Sequence, residues 1–128
     1  MDYVIDAKNR PLGRVASEAA LILQGKKSPA YNPRKIGSDR VLLKNYLLVT
    51  LTGRKFKEKL YHHHTGYMGH LKTETFEMAW NKDPKKVIRE VILHMLPKNF
   101  IQSKRILNLV FVDASDKLSV KNGEKAND

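Results

Sequence analysis

Between Arg54 and Lys72 the chain concentrates the side chains best able to hold an anion or a metal ion. Five Lys or Arg, four His, two Tyr and two Gly stand there around one acid, Glu58. Two chemistries compete for them. His62, His63 and His64, with His70 nearby, have the donor atoms for zinc, whose ligands must converge and are held by outer hydrogen-bonding partners. On a strand, consecutive residues point to alternate faces, so at most two of the three adjacent His could share one ion. No Cys is present to assist, and Glu58 is the only neighbouring acid. His and Tyr set among cations suit stacking and hydrogen bonding to RNA better. The RNA-binding candidates here are Arg54, Lys55, Lys57, Lys59, His62, His64, Tyr67 and Lys72. No metal or other cofactor is expected.

Further cations lie in stretches that exclude acids. None occurs between Glu18 and Asp39, between Glu58 and Glu74, or between Glu90 and Asp113. The first window holds Lys26, Lys27, Arg34 and Lys35 beside Tyr31, a mixture of positive charge and aromatic surface that suits RNA. The last holds Lys98, Asn99, Lys104 and Arg105. A solvated face usually mixes both signs, and acid-free windows argue against that reading. The 128 residues carry 24 Lys or Arg against 13 Asp or Glu, a net charge of +11, and the sequence pI is about 9.9. The surplus implies a polyanionic partner, nucleic acid first and an anionic membrane surface second. No run approaches the ~18 apolar residues of a membrane span. The start, Met1 to Asp6, has neither the basic region nor the long apolar run of a signal or transit peptide.

A nucleotide-binding enzyme is the next rival, because the chain opens as strand, loop and helix. The turn from Asp6 to Arg14 has neither G-x-G-x-x-G nor the Gly-Lys-Ser/Thr of a phosphate loop. Nucleophile-elbow patterns and trustworthy carboxylate pairs are also missing, so an enzyme is not expected.

The elements that must position these residues are legible in part. Tyr3-Val4-Ile5 reads as a first strand. Pro11 suits a helix start, Leu12, Val15, Ala16, Ala19, Ala20 and Leu23 keep the spacing of one buried face, and Gly25 stops the helix. Lys26 to Asp39 reads as an extended loop. Val41 to Leu43 and Leu47 to Thr52 are strand candidates with nearly continuous apolar runs, as in sheets covered on both faces. Leu60 to His64 is a hairpin arm. Thr75 could cap a short helix carrying Phe76, Ala79 and Trp80. Asp83-Pro84 opens another whose stripe is Val87, Ile88, Val91, Ile92 and Met95, with Lys85, Lys86 and Arg89 directed mainly to solvent. A short helical piece near Ser103 to Leu107 and a closing strand, Leu109 to Val112, follow. The expectation is one α/β domain over residues 1–112 with a partly parallel sheet, and a polar tail over 113–128.

Several stretches resemble the universal large-subunit ribosomal protein L-thirteen family. They are Tyr3-Val4-Ile5-Asp6-Ala7 with Leu12-Gly13-Arg14-Val15-Ala16-Ser17; Tyr31-Asn32-Pro33; Gly37-Ser38-Asp39 with Asn45; and Val49-Thr50-Leu51-Thr52-Gly53-Arg54-Lys55. His64-Thr65-Gly66-Tyr67 with Gly69 and Leu71-Lys72, then Met95-Leu96-Pro97-Lys98-Asn99, complete them in family order. The resemblance implies a three-layer α/β/α fold with a small, mostly parallel central sheet and basic RNA-facing loops. It also implies no catalysis and a structural seat on large-subunit ribosomal RNA, with Arg14, Lys98 and Asn99 among the implied contacts and a part in early subunit assembly. The implied partners include neighbouring large-subunit proteins, with messenger RNA as an alternative target. The implied location is the cytoplasmic ribosome, an organellar ribosome staying open. Departures exist. Met68-Gly69-His70 replaces the family's Pro-Gly-Gly turn, His94 stands where Gly is common, Phe100-Ile101-Gln102-Ser103 replaces Lys-Leu-Gly-Arg, and the C-terminal His-Pro-His-x-Ala-Gln segment is missing.

Overall fold

Three short strands, all parallel, form the sheet in the order β1-β2-β5: β1 (Asp2–Asp6), β2 (Arg40–Lys44) and β5 (Leu109–Val112). The computed structural model describes residues 1–113. Parallel neighbours need a crossover, and between β1 and β2 it is α1 (Leu12–Leu23). Its spacing buries Leu12, Val15, Ala16, Ala19, Ala20 and Leu23, as the sequence predicts, and Ile22 besides. Gly25, at φ +79°, ends it: the Gly25 amide donates to Ile22 O and the Lys26 amide to Leu21 O. Only a residue free of Cβ takes that conformation cheaply.

Side chains alternate across the sheet. Ile5, Val41, Leu43 and Leu109 point into the core beneath α1. On the opposite face Val4, Leu42 and Val110 are in register with one another, and Val4 and Val110 are 52% and 41% exposed. The α/β class and the small parallel sheet are as expected. Of the two outer layers, the described residues build the one on the Ile5 face.

Two predicted elements differ. The run from Leu47 to Thr52 is not a strand. Asn45, at φ +53°, turns the chain into a one-turn 3₁₀ helix, Tyr46–Leu48, and only Thr50 makes a bridge, parallel to Pro11. Asp113, assigned to the tail, belongs to the folded body: its carboxylate accepts from the Tyr46 hydroxyl and, at 2.8 Å, from Lys85 Nζ.

The remaining helices are α2 (Lys55–Glu58), α3 (Phe76–Lys82), α4 (Pro84–Met95) and α5 (Gln102–Arg105). Both predicted caps form, Thr75 Oγ1 accepting from the Met78 amide and Asp83 Oδ1 from the Lys86 amide. Helix α4 packs on α1 with Val87, Ile88 and Ile92 buried. A separate antiparallel hairpin, β3 (Leu60–His64) and β4 (Leu71–Thr75), leaves this body between α2 and α3.

Candidate nucleic-acid interface

The hairpin is anchored at its root and open elsewhere. The Phe76 amide donates to Lys59 O at 2.8 Å, closing the base where β4 meets α3. Phe76, fully buried, gathers Phe56, Tyr61 and Trp80 at centroid distances of 5.9, 6.2 and 5.6 Å. That cluster binds α2 and β3 to α3 and lets the rest project. Past Tyr61 every residue from His62 to Thr73 is exposed. The tip turns at Gly66 and Gly69, both at positive φ, and displays Tyr67 at 74% and Met68 at 98% exposure.

His62 and His64 share one face of β3. Nδ1 of His62 lies 3.1 Å from Thr73 Oγ1 across the ladder. Nδ1 of His64 accepts the Gly66 amide at 2.9 Å, so a neutral His64 keeps its proton on Nε2, as a donor for a ligand. Both rings are thus held by hydrogen bonds within the hairpin. Among the described residues no three His, Asp or Glu converge on a metal position.

Two groups of candidate cations stand at opposite ends of α1, a helix of 12 residues and so roughly 18 Å long. Arg14 is in its first turn, and the cavity beside that turn is lined by Gly13 together with Arg54, Lys55 and Lys59. Lys55 Nζ donates to Thr52 Oγ1 at 3.2 Å. Lys57 is exposed on α2, and Lys72 on β4 pairs with His63 in the ladder. Glu58 meets Arg54 at 3.8 Å, and Glu74 is taken by Lys82 at 2.6 Å. Exposed pairs of this kind contribute little, so they do not cancel the surface charge.

At the other end of α1, Lys26 and Lys27 leave the helix, and Lys27 Nζ sits 5.1 Å from the Tyr3 ring centroid. Tyr31, Arg34 and Lys35 are exposed on the loop that follows, shaped by Asn32 Oδ1 accepting the Arg34 amide. Lys98, Asn99 and Lys104 are also exposed. Asn99 Oδ1 is already engaged by the Ile101 amide, which leaves its NH₂ as the free group.

Arg105 is a correction to the candidate set. It is 1% exposed, and its Nη2 donates to Pro33 O at 3.2 Å and to Lys35 O at 3.1 Å. A side chain enclosed this way cannot reach a ligand. It holds the loop that presents Arg34 and Lys35 against α5. Its neighbours in sequence, Ser103 and Lys104, are exposed, so charge alone did not mark the difference.

A polar cluster that sequence reasoning missed joins the C-terminal ends of β2 and β5 to α4. Hydrogen bonding from Lys85, then Tyr46, lowers the Asp113 carboxyl below the usual range. The same bond from Asp113 raises Lys85, and burial first, then Asp113, raises the Tyr46 phenol. Arg89 covers the Phe111 ring at 5.6 Å. Lys85 and Arg89, expected to face solvent, therefore also clasp the end of the sheet. Nothing in the local sequence distinguishes them, because their partners lie 28 and 22 residues away.

A parallel α/β body that carries its cations on loops and on one projecting hairpin defines a class: a small basic scaffold protein. A family model described as ribosomal protein L13 matches residues 1–117. The large ribosomal subunit protein uL13 of Clostridioides difficile (strain 630) is 37% identical over 126 residues, 98% of this chain and 88% of the relative. That of Legionella pneumophila (strain Corby) is 44% identical over 97 residues, 76% of this chain and 67% of its own. That of Clostridium tetani (strain Massachusetts / E88) is 43% identical over 107 residues, 84% and 74%. The chain belongs to the ribosomal protein L13 family, whose members are structural, non-enzymatic ribosomal components.

Proposed function

We propose that this protein binds large-subunit ribosomal RNA and supports early assembly of that subunit beside neighbouring ribosomal proteins. The hairpin carries the reading. A two-stranded hairpin is at best marginally stable in water by itself, yet this one holds basic, His and aromatic side chains almost wholly in solvent. Such a segment suits a partner that covers it, and its charge selects a polyanion.

In this reading the loop over 26–35, the stretch over 54–72 and the exposed residues of 97–104 lie on folded RNA. Lys and Arg neutralise phosphates, while Tyr31, Tyr67, His62 and His64 supply stacking and hydrogen bonds to unpaired bases. Residues 1–113 act as one folded unit, Asp113 included. Arg105 acts from inside, as the tether of the first loop.

The test is to sediment native ribosomes through a high-salt cushion and quantify the chain by mass spectrometry. About one copy per large subunit is expected, because contacts to bases and to RNA shape hold a structural component where phosphate contacts alone would be screened by salt. Recovery mainly in the soluble fraction would overturn the structural seat and favour a free regulator of messenger RNA.

A further inference from the structure

The cavity at the first turn of α1 has a composition that the surface charge does not explain. It is an open cleft of about 680 Å³, within the roughly 300–1,000 Å³ of small-molecule sites. Its walls are apolar: Leu12, Leu51, Phe76, Val91 and Met95, from α1, the segment after the 3₁₀ turn, α3 and α4. Its rim is charged: Arg54, Lys55 and Lys59 against the lone Glu58. Arg54 is only loosely held by that acid, at 3.8 Å, and Lys55 only by a hydroxyl.

An apolar cleft with a cationic lip suits an apolar group joined to an anion, and in a bound RNA that pairing is a base and its phosphate. We infer that this cavity receives a single unpaired nucleotide of the bound RNA, with the base against Leu12, Leu51 and Met95 and the flanking phosphates on Arg54, Lys55 and Lys59. Base insertion of this kind is how proteins read RNA whose bases are not stacked in a helix. The inference rests on the RNA-binding reading and adds a subsite to it. The rim then acts on the phosphate backbone and the chamber on one base, so the first holds and the second sets position along the chain.

Gly13 supplies the test. It lines the cavity, and a Cβ there would meet nothing within 4 Å. Gly13→Leu therefore fills the chamber, removes no charge and suits a helix better than Gly. The urea midpoint should hold or rise. Affinity for large-subunit ribosomal RNA should fall at least about fivefold, the low end for losing one base contact, with the salt dependence unchanged. Unaltered RNA affinity in a folded Gly13→Leu protein overturns the inference. So does normal RNA affinity with poor retention in the subunit, which would give the cavity to a neighbouring protein's side chain. A second measurement needs no variant: adenosine 5′-monophosphate should shift the methyl resonances of Leu12, Leu51 and Met95, and inorganic phosphate should not. Equal shifts with both, or none with either, overturn it. If the parent chain binds no ribosomal RNA, the functional reading itself has failed, a result separate from these.

Discussion

Arg105 shows how far burial can change what a charge does. Its guanidinium has no carboxylate partner among the described residues; two loop carbonyls accept from Nη2, and Nε finds no acceptor. Replacing it removes donors that the loop depends on but also relieves the desolvation of a buried cation, so the effects oppose each other. Because Pro33 O and Lys35 O would lose their donor, we expect Arg105→Met to reduce stability by about 2 kcal/mol. Urea denaturation would measure it. A loss under about 0.5 kcal/mol, the range of an ordinary surface substitution, would mean that water replaces the guanidinium without penalty. The sequence marked Arg105 as one more cation in an acid-free window. Its neighbour Lys104 obeys that rule, and only the return of the loop over α5, some 70 residues away, separates the two.

At the scale of elements, the bond between the ends of β2 and β5 and the start of α4 carries a pH dependence. Asp113 is lowered by its bonds to Lys85 and Tyr46, so its contribution is full above the ordinary carboxylate value and lost as pH falls through the folded value. Lys85 and Tyr46 are raised, so theirs is full below their ordinary values and lost as pH rises through the folded ones. Thermal denaturation against pH should therefore decline at both extremes. Asp113→Asn should be less stable at neutral pH and show shallower acid and alkaline limbs. Asp6, lowered by Asn45 and the Lys8 amide, would keep part of the acid limb. Acid limbs that superimpose would show that the cluster does not couple folding to protons. Helices α1 and α4 were legible because periodicity and caps agree. Leu47 to Thr52 misled because a short apolar run looks the same in a strand and in a turn. Asn45 redirects it, leaving Leu47 and Leu48 exposed.

Across the whole molecule, part of the positive charge stands at both ends of α1, with Arg14, Arg54, Lys55 and Lys59 at its first turn and Lys26 and Lys27 after its last. Each end should contribute its own share of the salt dependence of RNA binding. Replacing Arg54, Lys55, Lys57 and Lys59 together with Ala should lower the slope of log K against log salt by roughly 3, at about 0.7 to 0.9 per phosphate contact. An unchanged slope would remove α2 and its flanks from the interface. The fold should persist, since all four side chains are exposed. Composition implies an anionic partner. It could not disclose the division, which depends on where a 14-residue connection and a hairpin root come to rest.

The hairpin has one more consequence. Among the described residues its strands pair in a sheet only with each other, and Arg54, Lys55, Lys57, Lys59 and Lys72 line the route into and along it. An exposed segment of this kind is where a protease cuts first. If RNA covers the hairpin as proposed, limited trypsin digestion should cut the free chain first within 54–72 and spare that stretch in the RNA-bound chain.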